Sequence, residues 1–241
     1  GHEEEEEEET IRIDLEQTVE RRVRLPHPKP DGIARRFTEG FDELVERVKA
    51  FPPEKMAEVC SACHLPEGWG QPEGTFPQLA GQHRGVLIKQ LSDIRALNRD
   101  NPTMYPFALQ RAIGDEQALA DVTAYIEKLP MDPAWGKGPH GPGTPEYEAG
   151  KKLFVDNCVQ CHAETGMGVE EKFYPRINGQ HFKYMLRQFE WIRDGKRRNA
   201  NPDMVKQIEG FSDADMIAVI DYTSRLKPPK EDLAPSKDWL N

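Results

Sequence analysis

"CSACH", Cys60 to His64, recurs 98 positions later as "CVQCH", Cys158 to His162. Working outward, "FPQLAGQHRGVLIKQLSDIR" from Phe76 to Arg95 overlays "YPRINGQHFKYMLRQFEWIR" from Tyr174 to Arg193 at the same offset, with Pro, Gly-Gln-His, Gln, Ile and Arg in register. The offset becomes 100 at "NPTM", Asn101 to Met104, against "NPDM", Asn201 to Met204, and 97 at Tyr125 against Tyr222, so length changes fall between the matched segments. Motifs repeated in order at a long fixed period mark a duplicated domain.

The duplication divides the 241 residues into an N-terminal acidic arm with an extra helix (1–52), a first domain (53–129), a Pro/Gly-rich linker (130–145), a second domain (146–227) and a tail (228–241). Each repeat closes on an amphipathic segment, "DEQALADVTAYIEKL" or "SDADMIAVIDYTSRL", with Asp115 and Ser212 placed as N-caps. Neither repeat contains a convincing strand, and the fold class is all-α. In the arm, Ile11, Ile13 and Leu15 alternate as in a short strand, and Phe37, Phe41, Leu44, Val45 and Val48 recur at helical spacing.

Apolar residues make up only 37% of the chain and charged ones 31%, which is lean for two domains of under about 100 residues each. Domains that small commonly need a metal, disulfide or cofactor to complete the core. The net charge of −10 is concentrated in the arm, above all in Glu3 to Glu9. Such a run reads as a solvated tail or a contact for a basic partner, and its sign disfavours nucleic-acid binding. No stretch approaches the roughly 20 apolar residues that a membrane span requires. The start "GHEEEEEEET" has no secretory signal pattern, and the chain is read as the mature form of an exported protein.

A lone C-x-x-C fits a redox dithiol, half a zinc site or a disulfide. A His immediately after it makes the haem c attachment signature, because two thiols at that spacing reach the two vinyl groups while the imidazole meets the iron. Two covalent haem c groups are therefore expected, on Cys60/Cys63 and on Cys158/Cys161, with His64 and His162 as iron ligands. A zinc site would need a fourth ligand in each repeat and would leave the downstream match unexplained.

For the sixth iron position the repeat ranks the candidates. Of seven methionines only Met104 and Met204 correspond, 40 and 42 residues after their histidines. The matched His83 and His181 are the alternative, which would make either haem bis-histidine and lower its potential; their other reading is a polar role at a helix start near the haem edge. Pro77 and Pro175, each 13 residues after the histidine, are placed to offer a carbonyl to the imidazole Nδ1–H. Leu79 and Ile177 would pack on the porphyrin. Arg95 and Arg193, with Arg99 and Arg197 one helical turn on, are candidates to neutralise propionates.

Taken together, CxxCH, P-x-[LI]-x-G-Q-H, Q-[LF]-x-x-I-R, NPxM and the closing aromatic helix resemble tandem class I cytochrome c domains, and most nearly the dihaem cytochrome c4 type, over about residues 53–227. The resemblance implies two helical domains around one haem c each and periplasmic electron transfer between a dehydrogenase donor and an oxidase acceptor, with no enzymatic activity. The arm is a docking candidate, and a homodimer stays open. A subunit of a larger oxidoreductase complex is the alternative. A dihaem peroxidase or a thiosulfate-oxidising cytochrome fits less well: the former are longer chains, and the latter use a Cys ligand that this chain, with all four cysteines in its motifs, cannot supply. The chain departs from the family in the long arm and in Pro52, which stands where the second repeat has Gly150.

Overall fold

The computed structural model describes residues 59–238. The strand and helix expected in the arm, and the start of the first domain, lie outside the described residues. Among the described residues regular structure is helical, with only two isolated β-bridges.

The first domain contains α1 (Ser61–His64), α2 (Arg84–Arg95), α3 (Tyr105–Ala108), α4 (Gln110–Ile113) and α5 (Glu116–Glu127); the second contains α6 (Pro145–Asn157), α7 (Val159–His162), α8 (Phe182–Arg193), α9 (Pro202–Ile208) and α10 (Asp213–Thr223). The expected caps form. Asp115 accepts a hydrogen bond from the Ala118 amide, and Ser212 makes a reciprocal capping box with Asp215.

The α6–α10 packing depends on Gly150. A Cβ there would lie 2.0 Å from the Ala218 carbonyl oxygen, so only glycine lets the two backbones approach this closely. Phe154, 1% exposed, and Tyr222 fill the crossing with rings 5.4 Å apart. In the first domain α2 packs on α5 through Leu87, Val122 and Ile126.

Linker and tail are packed rather than slack. Met131 and Trp135 are 3% and 5% exposed, Met131 bridges to Leu233, and Ala234 joins the core of the first domain. The chain thus returns after its second domain to close on its first.

Candidate haem sites

In each domain a one-turn helix carries the CxxCH motif and ends on a buried histidine. His64 Nδ1 donates to the Pro77 carbonyl at 2.9 Å and His162 Nδ1 to the Pro175 carbonyl at 3.0 Å. The bond fixes the tautomer, leaving each Nε2 with a free lone pair. Gly70 and Gly168, at φ +68° and +73°, allow this approach: a Cβ on either would lie 2.3 Å from a carbonyl oxygen of the proline segment. Burial outweighs the carbonyl bond and holds both imidazoles below the usual histidine range, as neutral rings.

The NPxM repeat has a local explanation. Asn201 caps α9 by accepting from the Asp203 amide, with Pro202 at the first helical position; Asn101 Oδ1 accepts from the Met104 amide at 3.2 Å. Asparagine starts the turn, proline presets its φ and the methionine follows in the first turn.

These groups face one large cavity of about 1440 Å³, lined from both domains. Cys60, Cys63, His64, Pro77, Leu79 and Met104 line it in the first domain; Cys158, Cys161, His162, Pro175, Ile177 and Met204 line it in the second. All the proposed site residues therefore share its wall. Its apolar sides come from Val86, Leu87, Ile94, Phe107, Ile113, Val122 and Ile126 on one side and Met185, Phe189, Ile192, Ile208, Val219 and Ile220 on the other. Burial, and then the neighbouring Cys63 and Cys161, push the Cys60 thiol up to about 11 and the Cys158 thiol to about 12.

The residues fit haem. The volume is about that of two cofactor pockets. The wall also holds a buried Arg187 Nε without a hydrogen-bond partner and the two guanidiniums of Arg99 and Arg197, donors of the kind that carboxylate-bearing groups satisfy.

Two expectations change. Arg99 and Arg197 are not a helical turn beyond Arg95 and Arg193, because α2 and α8 end at those residues; they lie in the following loops and turn inward. Arg95 instead donates to the Ala108 and Gly114 carbonyls, and Arg193 pairs with Asp213 and Asp194, both bracing their own domains.

His83 and His181 do not line the cavity. His83 Nε2 donates to the Met167 carbonyl and His181 Nε2 to the Trp69 carbonyl, each in the opposite domain. The preceding glutamines do likewise: Gln82 pairs with both backbone groups of Arg176, and Gln180 with both of Gln78. The bonds are reciprocal, as across a local two-fold axis, so the Gly-Gln-His repeat is the inter-domain joint. Sequence matching marked these residues as special but could not say that they act across the repeat.

His181 is fully buried, and its Nδ1 accepts the Gly136 amide at 3.0 Å. Protonation would set an N–H against that N–H. Burial accordingly holds its pKa below 6.5, against the opposing pull of the Trp69 carbonyl and the more distant Asp132 and Glu73. With the folded value below the unfolded one, this stabilisation is complete above about pH 6.5 and is lost as pH falls further. Thermal melts from pH 7 to 5 should therefore show wild type losing stability faster than His181→Gln; parallel curves would mean that His181 does not titrate in this range.

Comparison with known proteins agrees with this architecture. The Cytochrome c family model matches twice, at residues 54–130 and 147–227. The chain is 35% identical to the thiosulfate dehydrogenase electron acceptor of Stutzerimonas stutzeri over 69% of its length and 78% of that protein, and 30% identical to the cytochrome c4 of Azotobacter vinelandii over 70% and 85%. The crystal structure of reduced recombinant cytochrome c4 from Pseudomonas stutzeri superposes with a TM-score of 0.61 at 30% identity, covering 72% of this chain and 96% of that one. The chain belongs to the cytochrome c family, as a tandem dihaem protein similar to cytochrome c4, with covalent haem c on Cys60 and Cys63 and on Cys158 and Cys161.

Proposed function

We propose that this chain is a periplasmic electron carrier in which His64 with Met104 and His162 with Met204 are the axial iron ligands. The observation that carries the reading is the duplicated arrangement of a histidine locked at Nδ1 by a prolyl carbonyl and a methionine set by an Asn-Pro turn, all on one cavity wall. The haem supplies one-electron chemistry, and a thioether ligand raises its potential.

The protein's own residues keep that chemistry to electron transfer. Pro77 and Pro175 hold the imidazoles in one orientation, and the caps at Asn101 and Asn201 fix the methionine loops. The apolar side chains of both halves of the wall limit the access of water to the site.

A thiosulfate dehydrogenase fits as electron donor, on the 35% identity to a protein named as its electron acceptor. An oxidase-type acceptor and docking through the acidic arm complete the proposal. Two measurements test it. The far-red sulfur-to-iron absorption of the oxidised holoprotein should have the intensity of two Met-ligated haems, and stopped-flow mixing with a reduced thiosulfate dehydrogenase should reduce both. One band would refute one axial pair; two bands without reduction would refute the donor.

A further inference from the structure

Where the two halves of the cavity meet, four side chains interlock. Arg99 donates to Gln90 Oε1 at 2.8 Å and to Gln188 Oε1 at 3.0 Å; Arg197 donates to Gln188 Oε1 at 3.1 Å and to Gln90 Oε1 at 3.0 Å. Each guanidinium therefore bridges glutamines of both domains, and each glutamine oxygen is shared by both guanidiniums. Tyr184 Oη lies 3.4 Å from Arg99, and all five residues line the cavity. The repeat supplies the Arg and Gln pairs at equal spacing, whereas Tyr184 stands opposite Val86 and has no counterpart.

The tetrad holds two positive charges against neutral acceptors. The nearby carboxylate, Asp93, is engaged by Lys89 and Asn199. Burial, and then the charge of Arg99, bring Arg197 down to about 10, still protonated at neutral pH. Although burial pushes the Tyr184 phenol up, the two guanidiniums outweigh it and hold it below its usual value.

We propose that Arg99 and Arg197 are a shared pair of positioning residues that raises the redox potential of both haem centres together, each charge acting on the centre of the opposite domain as well as on its own. This rests on the reading of the chain as a dihaem carrier. One-electron reduction lowers the net charge of a centre by one, so a fixed cation in the wall favours the reduced form. The wall is common to both centres and poorly screened, and the hydrogen-bond fork keeps both charges at the junction. At an effective dielectric near 20, one unit charge on the order of 10 Å away changes an oxidised-to-reduced ratio by about tenfold.

The test is a spectroelectrochemical titration of the dihaem holoprotein that resolves both potentials, in wild type, Arg197→Gln and Gln188→Glu. Arg197→Gln removes one cation. Gln188→Glu keeps the shape of the tetrad and adds an anion between both guanidiniums, so it decides the matter if the first variant fails to fold. In each variant both potentials should fall, by about tenfold in the oxidised-to-reduced ratio or roughly 59 mV. A shift of only one potential, or of neither, overturns the proposal. Arg197→Lys, which keeps the charge, should restore both potentials; a purely structural role would predict no recovery. The test is separable from that of the axial ligands, since potentials are read whether or not the far-red bands report methionine.

Discussion

Replacing Cys158 and Cys161 together by alanine is expected to unfold the second domain. The cavity of about 1440 Å³ is most of what the cores of both domains surround. Without haem the apolar side chains of the second half of its wall, among them Met185, Phe189, Ile208, Val219 and Ile220, would face water, at about 25 cal/mol per Å² of apolar surface. Domain stabilities are about 5–15 kcal/mol, so packing of α6, α8 and α10 alone cannot hold the second domain around a void. Covalent attachment keeps the cofactor in place at any concentration. The double variant should carry one haem per chain instead of two, and circular dichroism should show loss of the helices of residues 145–223. The first domain should melt at a lower temperature because it loses the bonds from His181 and Gln180. Full helicity with one haem would mean that the second domain folds without its cofactor. Cys158→Ala alone, which leaves one thioether, should fold.

Met104→His and Met204→His carry the next largest effect. Each should abolish half of the far-red sulfur-to-iron absorption and lower one potential by tenths of a volt, within the roughly 0.8 V range that axial ligands span. The other potential should move little. The physical reason is electronic: imidazole stabilises ferric iron more than a thioether does. Neither substitution asks much of the fold, because both methionines are half-buried, Met204 in the first turn of the Asn201-capped helix and Met104 in the turn that leads into Tyr105–Ala108. Retention of the full far-red band in either variant would place that haem's sixth ligand elsewhere in the chain.

Much of the site was legible because its parts are local and doubled. CxxCH packs three functional groups into one turn, and Asn-Pro-x-Met is a cap followed by its payload, so neither needs distant residues to take shape. The overlay separated Met104 and Met204 from five other methionines. The spacing of 13 residues anticipated the bonds of His64 to Pro77 and of His162 to Pro175, because a loop closed by glycine at positive φ can return only so far.

What the repeats do to each other could not be read from either. The same overlay that aligned His83 with His181 and Gln82 with Gln180 suggested equivalent roles within each domain, whereas each pair reaches the carbonyls and amides of the other domain. Arg99 and Arg197 sit a short distance in sequence beyond helix ends whose position set their direction; a helix one turn longer would have pointed them elsewhere. The sequence by itself determined the all-α class, the duplication, the haem attachment and the candidate axial ligands, all of which depend on chemistry within a few residues or on spacing along one segment. Only the tertiary structure decided that the Gly-Gln-His turns form the joint, that linker and tail close on the first domain, and that four side chains from both halves meet at one junction. Those facts depend on which surfaces of two similarly folded domains are pressed together, and a repeat pattern, being shared by both copies, carries no information about that choice.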